Sequence, residues 1–309
     1  MSEVSVVIPS RNRPKLLNQV LASYVGQPKV REILIVDDGS SRSVESALKG
    51  RWRDDERVRI LRLPRSLGAA AARNAGINEA TAPFVFFGED DAVLDDGHIG
   101  GLLAERERLG VEVICGRLIQ QQSNETFEQA RRRVEGTHEA LYNRRIISVT
   151  TASVREPVEV PFAHCLFLAP TDLVKEHLFS THYGGPSFMR EDAELQLRLR
   201  KSGYPLYVTP AATVFHLAKK KGAGAGTRDY SSVLAQLGSI TANLAMLIDE
   251  YFEELRPFFP GMNKRQMLTR ACRGHLYLGL KNWMRASSPL IDRSAEWWNR
   301  ARWILQRSN

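Results

Sequence analysis

Cysteine is scarce in this chain: there are three, Cys115, Cys165 and Cys272, and no two form a CxxC pair. That excludes a disulfide scaffold and a cysteine zinc knuckle, and it fits a reducing cytoplasm. Long apolar runs are also missing. Stretches such as VSVVIP and ILIV are strand-length and far short of a bilayer span. The opening MSEVSVV places no basic region ahead of an apolar one, so no secretory signal is expected. There is no GxxxxGK[ST] string, which excludes an ordinary phosphate-loop nucleotidase. GxSxG is absent, which argues against a typical α/β-hydrolase. The glycines of KKKGAGAG do not sit between a strand and a helix start, so they are no dinucleotide fingerprint. No internal repeat is visible. What is present is a chain of 309 residues, 43% hydrophobic and 25% charged, the profile of a folded protein.

The first part alternates strand and helix signals. Val4–Ile8, Glu32–Val36, Val58–Leu63 and Phe84–Phe87 are short apolar or β-branched runs. Between them Arg13–Val25, Ser43–Leu48 and Ala69–Glu79 have helical spacing. This order predicts βαβ units and a mostly parallel sheet buried on both faces. Further on, Val111–Ile119 reads as a strand, Glu125–Tyr142 as helix or loop, Val158–Leu168 as one buried strand, and Glu191–Lys201 as a helix. Ser232–Leu255 then carries a long apolar helical stripe, broken by Pro257 and Pro260. Helical stretches follow around Arg265–Arg285 and Ala295–Gln306. The expected organisation is an α/β domain over 1–218, a basic Gly-rich loop over 219–228 and a helical appendage over 229–309.

Charge is unevenly spread. The whole chain is +8, but residues 256–309 hold 11 basic and 2 acidic residues, and residues 1–255 come to −1. Four of the five tryptophans, Trp283, Trp297, Trp298 and Trp303, lie in that tail. Tryptophan and arginine on amphipathic helices suit an anionic membrane surface. An apolar face there, built from Trp297, Trp298, Ala301, Ile304 and Leu305, could equally pack on the α/β part or on a second copy. Nucleic acid is disfavoured, because the α/β part is near neutral and no binding motif appears.

Acidic clusters fall at predicted strand ends, where ligands bind in open α/β sheets. Asp37-Asp38 could hold a ligand N–H or hydroxyl, although Asp-Asp-Gly-Ser is also ordinary turn chemistry. Glu89-Asp90-Asp91 repel one another unless something positive sits among them. A hard divalent cation, Mg²⁺ or Mn²⁺, is one answer and a solvated helix cap is the other. Glu191-Asp192 could supply a general base at a helix start or simply cap that helix. His216 follows a strand and precedes Lys219 and Lys220, whose loop could close over phosphates or merely link two parts.

Taken in order, VSVVIPSRNRPKLL, EILIVDDGSS, SLGAAAARNAGI, FFGEDDAVLDDG, REDAELQLRLRKSGY and the late His216 resemble the family 2 glycosyltransferases with the GT-A fold. The resemblance covers roughly residues 3–217. It implies a nucleoside diphosphate sugar donor, with UDP the expected carrier. Pro9 and Arg11 would line the nucleotide pocket. Asp37, with Asp38 beside it, would bind the base, Arg73 would help hold the nucleotide, and Asp90 would hold the ribose. Asp91, with Glu89 and His216, would bind Mn²⁺ or Mg²⁺ at the diphosphate. The family motif usually begins with Asp where this chain has Glu89, so Asp90 and Asp91 could exchange roles. Asp192 would be the catalytic base, with Glu191, Lys219 and Lys220 towards the acceptor or loop. The family often carries a glycine where this chain reads FAHCLFL.

The expected function is therefore inverting, metal-dependent sugar transfer to a hydroxyl, in glycan, polysaccharide or glycoconjugate synthesis. A cytoplasmic setting is expected, with peripheral membrane contact or self-association through 256–309. A sugar nucleotidyltransferase is the other enzyme class, but the place where it needs a Gly-rich string reads PSRNRPK. A non-enzymatic membrane-docking adaptor would leave the acidic clusters dispensable.

Overall fold

The structure, a computed structural model, describes residues 3–137, 139–183, 190–217 and 233–287, with side chains described for 241–277 in the last stretch. The N-terminal elements are β1 (Val4–Ser10), α1 (Pro14–Val25), β2 (Val30–Asp37), α2 (Val44–Ala47), α3 (Gly50–Arg53), β3 (Val58–Arg62), α4 (Ala69–Glu79) and β4 (Phe84–Phe87). There follow β5 (Ala92–Leu94), α5 (His98–Leu109), β6 (Val113–Gln120), α6 (Phe127–Glu135), β7 (Tyr142–Asn143), β8 (Ser148–Val149), β9 (Val158–Val160) and β10 (Phe167–Pro170). The rest are α7 (Thr171–Glu176), α8 (Glu191–Lys201), β11 (Leu206–His216), α9 (Val233–Glu250), α10 (Phe252–Leu255) and α11 (Lys264–Ser287).

Nine strands form one sheet in the order β3-β2-β1-β4-β10-β6-β11-β5, with β9 on the side of β11. The run from β3 to β4 is parallel, and β6 is parallel to β11. Between these blocks β10 runs antiparallel to both β4 and β6. Seven of the eight residues of β2 are buried, as a strand covered on both faces requires. On one face α1 inserts Leu17, Val20, Leu21 and Tyr24. On the other, α4 presents Ala70, Ala72 and Ile77. Small residues let α4 lie close to the sheet: a Cβ on Gly76 would stand 2.4 Å from Val7 Cγ1. That close approach brings Arg73, on the same helix, to the ends of β1, β2 and β4.

The run Val158–Leu168, expected as one strand, is divided. β9 pairs with β11, while β10 crosses to β4 and β6. Pro161 cannot donate to a ladder, which stops β9. The loop that follows is fixed by side chains. His164 Nδ1 accepts from Leu166 N at 3.2 Å, so its Nε2–H donates to Gly116 O at 3.0 Å. Gln196 accepts from Ala163 N at 2.7 Å and donates to His164 O at 3.0 Å. Burial pushes the His164 imidazole down to about 4, so it stays neutral in these roles.

The helical region packs on the sheet domain. Leu244, Leu247, Ile248, Tyr251, Leu255 and Met267 share a core with Ile147, Phe162, Ala193 and Leu197. A Cβ on Gly274 would stand 2.2 Å from Arg145 O, so α11 lies directly against the 145–146 backbone. Residues 218–232, with the Gly-rich loop and the boundary expected at 218, lie outside the described residues, as does the Trp297–Leu305 face.

Candidate active site

The acidic string leaves the sheet at Gly88, where a Cβ would stand 2.8 Å from Ile8 and 2.9 Å from Tyr24. Only glycine permits this approach. Tyr24 is wholly buried and clamps the next residue: its hydroxyl donates to Glu89 O at 3.0 Å and accepts from Glu89 N at 3.1 Å. Asp90 accepts from Ser10 Oγ and from Arg13, each at 2.8 Å. The same Arg13 nitrogen reaches Asp91 at 3.0 Å. From the end of β11, His216 Nε2 lies 3.1 Å from Asp91 and 3.5 Å from Glu89. From α4, Arg73 lies 3.6 Å from Glu89 and 3.3 Å from Glu191.

These contacts divide the carboxylates electrostatically. Burial would raise Asp91, but His216 and Arg13 outweigh it and hold the group down to about 2. Glu89 is also lowered, burial being overcome by His216 and Arg73. Burial wins at Asp90, which rises to about 6 although Arg13 opposes it. His216 is raised to about 10, because Asp91 and Glu89 outweigh its burial. In the ligand-free protein it is therefore an imidazolium at neutral pH.

Gln120 settles which His216 nitrogen can become a ligand. Its Nε2 donates to His216 O at 3.1 Å and Leu217 O at 3.3 Å, so its Oε1 is the atom 3.2 Å from His216 Nδ1. Nδ1 must then be the donor. When the other proton leaves, the lone pair on Nε2 faces Glu89 and Asp91. One ligand atom from each of Glu89, Asp91 and His216 lies within 4.8 Å of the others. Two hard carboxylate oxygens and an imidazole suit Mn²⁺, and the oxygens suit Mg²⁺.

Asp192 stands in the first turn of α8, its carboxylate accepting from Ala193 N at 2.8 Å. Burial raises it, against the pull of Arg73 and Arg190. Cys165 is buried, and its thiol is pushed far up by burial, close enough to Arg73 and Asp192 to feel both charges. Cys165 in FAHCLFL thus lies near both acidic groups.

The other predicted residues divide. Asp37 is fully buried and accepts from Ser40 N, Val44 N and Arg62 at 2.9, 3.0 and 3.1 Å. Asp38 accepts from Ser66 Oγ and Leu67 N, each at 2.7 Å, and from Gly68 N at 3.1 Å. Both brace turns that lead into helices, as the turn reading of DDGS expects. Pro9 is half-buried near the end of β1. Arg11 has a buried Nε with no partner. Glu191 pairs with Arg73, while Lys219 and Lys220 lie outside the described residues. Sequence reasoning passed over Arg13, Tyr24, Gln120 and Cys165. Arg13 stands beside Arg11 in RNRPK and could have been weighed with it; nothing in LIQQQS sets Gln120 apart.

Residues 5–177, more than half of the chain, match the family described as Glycosyl transferase family 2. A pre-mycofactocin glycosyltransferase of Mycobacterium tuberculosis is 28% identical over 248 residues, 79% of this chain and 48% of that protein. A GalNAc(5)-diNAcBac-PP-undecaprenol beta-1,3-glucosyltransferase of Campylobacter jejuni is 30% identical over 126 residues, 40% of this chain and 41% of that protein. The chain thus spans less than half the length of either relative. The crystal structure of GalNAc-T7 with UDP, GalNAc and Mn²⁺ superposes with a TM-score of 0.59 at 17% identity, over 83% of this chain and 50% of that one. The shared fold is GT-A.

Tyr24→Phe tests the clamp. It strands the Glu89 N–H in the interior, which should lower stability by about 1–3 kcal/mol in urea denaturation. An unchanged midpoint would show that the hydroxyl does not hold the acidic loop.

Proposed function

The chain belongs to glycosyl transferase family 2, and from that premise we propose that it moves a sugar from a UDP-linked donor to an acceptor hydroxyl with inversion. The observation that carries this reading is the convergence of Glu89 and Asp91, from the loop between β4 and β5, with His216 at the end of β11, far away in sequence, and Arg73 lying between that cluster and the Glu191-Asp192 turn. UDP is chosen because a protein of the same fold is crystallised with it. Pro9 and Arg11 line the nucleotide pocket in this reading, Arg73 and Asp90 hold the nucleotide, and Asp37 and Asp38 shape the base end. Arg13 offsets the charge of Asp90 and Asp91.

Glu89, Asp91 and His216 Nε2 would hold Mn²⁺ or Mg²⁺. When bound, the ion supplies Lewis-acid stabilisation of the departing diphosphate. The chain's own residues do the rest. Asp192 accepts the proton of the attacking hydroxyl, and its place across Arg73 from the cluster suits attack opposite the leaving group. A positioned base of this kind contributes about 10²–10⁴-fold. The upward push on Asp192 brings its basicity nearer to neutral pH, which favours proton acceptance.

We further propose a cytoplasmic setting at the inner membrane face. All three cysteines are free. Met246, Leu276 and Tyr277 on α9 and α11 are exposed, in or beside the basic tail. The Campylobacter relative is named for a polyprenol-linked substrate. Among the described residues no helix is long and apolar enough to cross a membrane, so contact would be peripheral.

Three outcomes follow. Asp192→Asn should cut turnover at least ~100-fold and leave UDP affinity within about twofold; near wild-type turnover would remove Asp192 from the base role. His216 must release its Nε2 proton to become a ligand, and it holds that proton up to about pH 10. Mn²⁺ affinity should therefore rise with pH below that value, by up to about tenfold per unit, and calorimetry in two buffers should detect proton release. Binding with no proton release would contradict this. Exchange of Met246, Leu276 and Tyr277 for glutamate should abolish co-sedimentation of the full chain with anionic liposomes; equal binding by the wild type and this variant would sink the membrane reading.

A further inference from the structure

Among the described arginines with a buried Nε that lacks a partner, Arg73, Arg106 and Arg117 bond through their other nitrogens. Arg11 and Arg190 share the orphaned Nε but make no hydrogen bond or ion pair among the described residues. Arg11 is taken up by the nucleotide reading. Arg190 is not, and it lies at the other end of the reaction centre.

Three observations converge on Arg190. Its backbone is left-handed, at φ 84° and ψ 6°. A long side chain rarely adopts that region, and such outliers gather where function holds them. Its guanidinium lies 5.5 Å from the ring centroid of Phe162, itself buried. The ring lies within cation–π range and shields the cation on that side. Third, among the described residues the acid whose field reaches it is Asp192, two residues on, and no hydrogen bond joins the two. His275 of α11 senses the Arg190 charge from the helical side. Arg190 is partly buried, and a guanidinium cannot shed its charge, so one with no ion pair among the described residues is suited to receive an anion that arrives from outside.

We infer that Arg190 binds an oxyanion carried by the acceptor, a phosphate or carboxylate, and so places the acceptor hydroxyl at Asp192. The inference rests on the reading in which Asp192 takes the acceptor proton. It makes the acceptor an anionic molecule and assigns its recognition to the Phe162–Arg190 wall, beside α11. The planar fork of the guanidinium matches either oxyanion through two parallel N–H donors. The helical region then has a place in specificity, because His275 of α11 is near enough to Arg190 to feel its charge.

The test uses the full chain and variants Arg190→Gln, Arg190→Lys and Arg190→Gly. Glycine relaxes the left-handed backbone while removing the cation, so a fall in binding there cannot be charged to misfolding. Inorganic phosphate and acetate are titrated by calorimetry, each with and without saturating UDP. The expected result is phosphate or acetate binding by wild type that weakens at least tenfold in the glutamine and glycine variants and less in the lysine variant. Whichever anion shows the difference identifies the acceptor group. UDP affinity should be unchanged in all three variants. Equal anion binding by wild type and Arg190→Gln, or no binding by wild type, overturns the inference. Failure of wild type to bind UDP overturns the donor reading instead, and the anion titration without UDP still decides the role of Arg190.

Discussion

Three successive carboxylates cannot share the end of a buried strand unless positive charge is delivered to them, and this constraint organises the molecule. Glu89, Asp90 and Asp91 receive Arg13 from the start of α1, Arg73 from α4 and His216 from the end of β11. Each donor element is anchored by the sheet. Ser10 and Arg13 bracket the exit of β1, Gly76 seats α4, and β11 lies parallel to β6 so that His216 falls beside Gln120. Two of the three cations are permanent. The third is a proton on an imidazole, which in the proposed reading gives way to a metal ion.

The second acidic group is tied to the first through Arg73, which touches Glu89 on one side and Glu191 on the other. A single buried guanidinium therefore links the Glu89 cluster to the turn that carries Asp192. The helical region completes the opposite wall. Its core residues meet Ala193 and Leu197 of α8 and Phe162 of the loop before β10. Asp192 consequently lies between the sheet-borne acidic cluster and the helix-borne wall, which in the proposed reading is where an acceptor enters.

Much of this was legible in the chain. Helix α4 and strand β4 fall where small-residue and apolar patterns place them, and the acidic clusters stand at strand ends as open α/β sheets require. The antiparallel course of β10 was not legible, because a local apolar run does not say which neighbours it joins. Pro161 was the signal that Val158–Leu168 is two pieces. The partners of the acids, Arg13 and Tyr24, come from 65 or more residues away, and Gln120 reaches His216 across 96. Spacing within a motif carries no information at that range. Asp37 and Asp38 show the opposite limit: their turn chemistry was plain, and the structure uses it in full.

The most direct test of the central claim is anomalous diffraction at the manganese edge from crystals soaked with Mn²⁺ and UDP. The account predicts one strong peak bounded by Glu89, Asp91 and His216 Nε2, with the diphosphate on its open side. A peak elsewhere, or UDP bound with the His216 cluster empty, would contradict it.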